Sequence, residues 1–202
     1  MKVALIGASG NAGSRILKEL VGRSHAVLAL ARHASKIPEL KGVTAHSIDA
    51  QDGAALAAAI KGHDAVVSAI KFTAADTQEL IDSIGRSGVS RYLVVGGAGS
   101  LEVAPGLLEM DSPKFPAHVK PEAAAGARFL QQLRASALDW SYISPSRFFQ
   151  PGVRTGVFRL GTDRLLTGAD GTSAISFEDF AMALVDELEH PRHVRRRFTV
   201  GY

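Results

Sequence analysis

The sequence predicts an α/β fold: one domain over residues 1–202, built on a doubly wound parallel sheet. Three observations carry this. Short apolar runs alternate with amphipathic stretches at roughly 20-residue intervals, the signature of repeated right-handed βα units. The first apolar run ends in a glycine-rich turn that opens directly into a helix. The composition, 46% hydrophobic and 21% charged, is that of an ordinary packed domain.

Lys2–Gly7 (KVALIG) reads as a buried parallel strand, and Ile16, Leu17, Leu20 and Val21 then share one helical face. Ala26–Ala31 is a second buried strand, and Val43–Ile48 a weaker third. Leu56, Ala57 and Ile60 mark a helix before the strand Ala65–Ile70. Leu80, Ile81 and Ile84 mark another before the strand Arg91–Gly96. Regularity fails over 97–119, where glycines and Pro105, Pro113 and Pro116 interrupt any period. A loop of this length inside a compact domain tends to be functional. Glu122–Ser136 resumes as a helix and Leu138–Ile143 as a sixth strand. Short strands outside the main sheet are expected after Pro145, so 97–119 and 145–175 form the two irregular segments. Phe177, Phe180, Ala181, Leu184, Val185 and Leu188 make the best helical stripe of the chain, started by Ser176 with Asp179 three residues on. Phe198–Val200 closes as a strand.

Composition excludes several chemistries. With no cysteine there is no disulfide framework, thiolate nucleophile or cysteine-based metal site. The pI is near 9.3, yet without Arg195, Arg196 and Arg197 the 23 basic residues match the 20 acidic ones. That run is expected to be a solvated chain end, and no nucleic-acid surface follows from it. His190 and His193 lack a third ligand and read as a helix C-terminal cap, so no metal site is expected. The start MKVALIGASGNAG is not a signal peptide, and no stretch has the ~20 apolar residues of a membrane span. The expectation is a soluble, cytoplasmic protein, monomeric or homodimeric, with no membrane partner.

Gly7-Ala8-Ser9-Gly10-Asn11-Ala12-Gly13 forms a GxxGxxG loop between strand and helix. Gly7 permits the tight turn, Gly10 the close approach of a pyrophosphate, and Gly13 close packing of helix on sheet. Ser9, Asn11 and Ala12 complete the phosphate cradle at the positive helix end. The second strand decides which dinucleotide binds. Where NAD-binding units carry Asp or Glu, this chain has Arg32, followed by His33. A guanidinium binds a 2′-phosphate with charge-assisted hydrogen bonds, so NADP(H) is expected over NAD(H). Asp49 and Ala50 follow the third strand, beside the adenine or capping the next turn. Ser68, Ala69 and Ile70 end the fourth strand and Gly96, Gly97 and Ala98 the fifth. Pro145 follows the sixth. All lie at the sheet's C-terminal edge, where ligands of such folds bind.

GASGNAG, Arg32 and the small-residue end of the fifth strand resemble the atypical short-chain dehydrogenase/reductases. VGGAGSLE, LDWSYISPSRFFQPGVRTG, ISFEDFAMALVDELE and the final FTVGY are similar to the bacterial NAD(P)H-binding proteins called NADH–flavin reductases, with biliverdin reductase B-like flavin reductases, quinone reductases and redox-sensing regulators more distant. The resemblance covers essentially the whole chain. It implies hydride transfer from NAD(P)H to a flavin- or quinone-like acceptor, the flavin a substrate rather than a bound group. One family feature is missing. No tyrosine has lysine four residues on: Tyr92 is followed by Gly96 and Tyr142 by Ser146, and Tyr202 is the last residue. The matching helix positions hold Glu122 and Gly126. Without that acid, a small planar conjugated acceptor is favoured over a simple ketone. The same gap also fits an NADP(H) redox sensor with little catalysis.

Ser100 falls near the family's catalytic serine, and His118 and Lys120 precede the helix, so Ser100 and His118 are the candidate catalytic side chains. Phe148, Phe149, Arg154 and Thr155 follow the sixth strand, where rings could stack on a planar acceptor and the arginine pair with its phosphate or carboxylate.

Overall fold

A strand buried on both faces sends alternate side chains into two different cores, and β1 (Lys2–Ile6) does this. In the computed structural model, which describes residues 1–202, Val3 and Leu5 enter one core and Ala4 and Ile6 the other. The same division holds in β4 (Ala65–Ser68) and β5 (Arg91–Val95), where Val67 and Leu93 face opposite to Val66 and Tyr92. With neither face wet, polar alternation has no role, which is why these strands read as unbroken apolar runs.

Eight strands make the main sheet in the order β3-β2-β1-β4-β5-β8-β12-β10. β2 is Ala26–Ala31, β3 Val43–Ser47, β8 Asp139–Pro145, β12 Arg196–Gly201 and β10 Arg159–Gly161. Every neighbouring pair is parallel except β10 with β12. Helices α1 (Asn11–Gly22) and α5 (Phe177–Glu189) cover one face. Helices α2 (Gly53–Ile60), α3 (Thr77–Ser87) and α4 (Lys120–Ala135) cover the other. The chain winds outward from β1 to β3, then crosses back to β4 on the far side of β1. That reversal opens a crevice at the carboxyl ends of β1 and β4, the place where doubly wound sheets bind ligands.

Helix α5 begins as expected, the Ser176 hydroxyl accepting from the Asp179 N–H at 3.0 Å. Three expectations need correction. The 97–119 segment is not irregular throughout: β6 (Glu102–Ala104) and β7 (Leu107–Leu108) form a small hairpin turning on Gly106, at φ +72°. After Pro145, β9 (Phe148–Gln150) and β11 (Ala174–Ser176) do pair outside the main sheet, but β10 joins its edge. The Arg195–Arg197 run is solvated only in part: Arg195 and Arg196 are exposed, but Arg197 is not. Arg197 is only 6% exposed, pairs with Asp163 and donates to the Ser100 carbonyl and hydroxyl, while Arg195 pairs with Asp139.

His193 is tied to the Glu187 carboxylate at 2.8 Å and stacks on Phe198, rather than capping α5 through its carbonyls. No group of three His, Asp or Glu side chains is arranged to hold a metal. No helix is long and apolar enough to cross a membrane.

Candidate functional site

The glycine loop leaves β1 with Gly7 at φ +84°, a left-handed conformation that glycine adopts without strain. A Cβ there would stand 2.6 Å from the Ala69 carbonyl oxygen, so the loop also hugs the end of β4. A Cβ on Gly13 would overlap the Gly7 carbonyl, which fixes the close packing of α1 on the loop. The first turn of α1 has no side-chain cap and no acidic residue. The N–H groups of Asn11, Ala12 and Gly13 therefore have no acceptor in the protein. Unpaired donors at the positive end of a twelve-residue helix suit a pyrophosphate. The loop singled out in the sequence is the one that carries these unpaired donors.

Beside the loop lies a cavity of about 280 Å³ at the carboxyl ends of β1, β2 and β4. Gly7, Ser9, Gly10, Arg32, Asp49, Ala50, Ala69 and Ile70 all line it, together with Lys71, which the sequence did not single out. The exposed guanidinium of Arg32 bonds to nothing in the protein, whereas its carbonyl accepts from Ser47 Oγ at 2.8 Å and so holds the backbone in place. Asp49 accepts from the Gln51 N–H at 3.1 Å, turning the chain toward α2. His33 is exposed at the head of a short 3-10 turn and does not line the cavity. Ser68 needs correction: it is buried, and its hydroxyl bonds Tyr92 at 2.7 Å, so it serves the core.

At the end of β5 the space of the absent lysine is filled by rings. Gly126 on α4 could carry no side chain, because a Cβ would lie 2.7 Å from the Phe72 ring. Phe72, Phe129 and Tyr142 pack together with centroids 5.9–6.5 Å apart. The Tyr142 hydroxyl donates to the Gly126 carbonyl and accepts from the Gly97 N–H, both at 3.2 Å. Burial pushes its pKa above the usual tyrosine value, away from any acid role near neutrality. Gly96 is glycine for the same reason, a Cβ there overlapping the Tyr142 ring. Ala98 is half-buried, and Pro145 ends β8 opposite Val200. Glu122, in the missing tyrosine's place, accepts from the N–H groups of Phe72 and Thr73 at 2.7 and 3.1 Å and from the Thr73 hydroxyl at 2.6 Å. It holds the turn after β4, whose residues Ile70, Lys71 and Ala74 wall the cavity.

The catalytic expectations fare less well. Ser100 Oγ accepts from Arg197 at 2.9 Å and has no base to take its proton, so its role is to join the 97–119 segment to β12. His118 stands exposed on a 3-10 turn, with no hydrogen-bond partner. Arg154 and Thr155 lie against α1 and α5, and neither lines the cavity beside the glycine loop. Arg154 forks onto Glu19 with both contacts at 2.9 Å. Thr155 donates to Asp179 through both its hydroxyl and its N–H. Phe149 is partly buried against the core, its ring 4.5 Å from that of Phe177 and 4.7 Å from that of Phe180.

Phe148 remains 53% exposed, beside Arg147 on a second cavity of about 590 Å³ between the 97–119 segment and the end of β8. Arg147 forks onto Glu109 at 2.6 and 2.8 Å. The only available signal for Arg147 was a cation directly after a buried strand, at the edge where ligands bind. Glu109 gave none.

Residues 7–191 match the NAD(P)H-binding family. YwnB of Bacillus subtilis strain 168, itself called uncharacterized, is 43% identical over 99% of this chain and 98% of its own. A Bacteroides thetaiotaomicron structure provisionally named an epimerase is 41% identical, with a TM-score of 0.95 over 100% of this chain and 96% of its own. A Streptococcus pneumoniae TIGR4 structure provisionally named an NADH-flavin reductase is 35% identical, with a TM-score of 0.83 over 100% and 99%.

Proposed function

The chain belongs to the NAD(P)H-binding family, and from that premise we propose that it is an NADPH-dependent oxidoreductase of the atypical short-chain dehydrogenase/reductase kind, whose acceptor is a flavin, a quinone or a similar planar conjugated molecule. The observation that carries the choice of acceptor is the aromatic filling at Gly126. Reduction of a ketone needs a proton at the carbonyl oxygen as hydride arrives at carbon, and here Tyr142 is buried and no lysine can enter. A conjugated ring delocalises the incoming electron pair and takes its proton from water.

When bound, NADPH supplies the hydride from C4 of its nicotinamide. The acceptor would take up that hydride and one proton from water, leaving NADP+ and the two-electron-reduced acceptor. The chain's own work is binding and orientation. Asn11, Ala12 and Gly13 offer their N–H groups to the pyrophosphate, and the free Arg32 guanidinium meets the 2′-phosphate. Glu122 fixes the turn that walls the adenosine side. The name of the Streptococcus relative supports a flavin-reducing chemistry. A cytoplasmic setting goes with this reading, since the cofactor is held there.

Steady-state NADPH oxidation with a panel of flavins, quinones and simple ketones tests it. Turnover of ring acceptors with no ketone reduction is expected. Faster ketone reduction would overturn the choice of acceptor. Tight NADPH binding with no turnover of any acceptor would favour the redox-sensor reading instead.

A further inference from the structure

We infer that the cavity at the end of β8 is the acceptor site and that Arg147 is its anion anchor, selecting planar acceptors whose side chain ends in an oxyanion. As to the reaction, this rests on the reading just given. As to binding, it stands on the cavity itself.

The cavity, about 590 Å³, lies within the roughly 300–1000 Å³ typical of small-molecule sites. It opens at the same carboxyl edge of the sheet as the glycine loop, so an acceptor there would lie beyond the end of β5 from the adenosine cavity. Its apolar wall includes Val103, Phe115, Val119 and the half-exposed Phe148, a surface for a flat ring.

Its polar wall is built rather than incidental. Glu109 is 5% exposed, and a buried carboxylate is stable only when paired. It takes Arg147 Nε at 2.6 Å and Nη2 at 2.8 Å, which fixes the plane of the guanidinium. The Arg147 N–H donates to Ser173 Oγ at 3.1 Å and anchors the backbone as well. Nη1 has no acceptor in the protein, and the side chain is 43% exposed on the cavity wall. Glu109 cancels one charge, but Lys114 lines the same cavity and leaves the wall net positive. A guanidinium locked on one side and open on the other is a preorganised receptor for a phosphate or carboxylate. The adjacent ring surface requires that this anion be tethered to something flat.

Riboflavin and flavin mononucleotide share one ring system and differ by a phosphate. Their binding to the NADP+-loaded protein, followed by quenching of flavin fluorescence, separates ring recognition from anion recognition. Flavin mononucleotide should bind tighter by about tenfold or more. The paired variant Glu109→Gln with Arg147→Met removes both partners, so no buried carboxylate is orphaned. It should erase that preference while NADPH affinity stays as in the parent, which also reports that the variant folds. Equal affinity for the two flavins, binding of neither, or an unchanged preference in the paired variant would overturn the assignment. Selective, Arg147-dependent binding without NADPH oxidation would uphold it and count against the reductase reading alone.

Discussion

In the proposed reading, cofactor selectivity turns on one side chain. Arg32 follows β2, lines the cavity beside the glycine loop and spends its guanidinium on no protein partner. A charge-assisted hydrogen bond is worth about 1.5–3 kcal/mol, so Arg32→Ala should weaken NADPH binding roughly ten- to hundredfold. NADH affinity and thermal stability should barely move. Calorimetric titration with both dinucleotides checks this, and an equal loss for both would refute the assignment. The glycine loop and Arg32 were legible in the sequence because a local backbone demand and a local charge are written in adjacent residues. The polar pairings were not. Arg154 looks like a cleft residue until its partner Glu19, 135 positions away, is seen. Arg147 needs Glu109, 38 positions away, before it has a fixed direction.

Elements carry the next level of the account. The strands β1, β2, β4 and β5 could be read directly because burial on both faces removes every polar residue but the terminal ones. β1, β4 and β5 end one or two residues short of the apolar runs, since Gly7, Ala69 and Gly96 turn toward the crevice. β6, β7 and β10 have three residues or fewer, too short for any period to show. Helix caps are local and therefore testable singly. Asp76 caps α3 by accepting from the N–H groups of Gln78 at 2.9 Å and Glu79 at 3.2 Å. Asp76→Ala should cost about 1 kcal/mol, lowering the unfolding midpoint by roughly 2–4 °C in a domain of this size. NADPH affinity should be unchanged, because α3 does not line the cofactor cavity. Thermal unfolding with and without NADPH reads both effects, and no change in the midpoint would contradict the cap.

At the scale of the whole molecule, α5 is tied to the sheet and to the C-terminal half by buried carboxylates. Burial alone would raise the pKa of Asp179, but hydrogen bonds from Thr155, Gly156 and Tyr202 outweigh it and hold it below the ordinary value. Glu187 is likewise raised by burial and lowered further by His193, Arg192 and Ser141, with a net shift downward. A depressed folded pKa means stabilisation that is complete above the unfolded carboxylate range, near pH 4, and is lost as pH falls through the folded values. Urea unfolding should therefore show stability falling steeply below about pH 4. Asp179→Asn should be less stable at neutral pH and show a shallower acid slope. An identical slope in the variant would remove Asp179 from this role.

The same scale unites the two cavities, since the reversal of chain direction at β1 and β4 brings the glycine loop, Arg32, the aromatic plug and Arg147 to one edge of one sheet. The claim that this edge moves hydride from NADPH to a planar acceptor is tested most directly by a single-turnover experiment. Protein, NADPH and flavin mononucleotide are mixed in equal amounts without oxygen, and nicotinamide and flavin absorbance are followed together. The two signals should decay in step, one flavin reduced per NADPH oxidised, and deuterium transferred from C4 should slow both. Nicotinamide absorbance that stays constant beside oxidised flavin, with the cofactor demonstrably bound, would contradict the account.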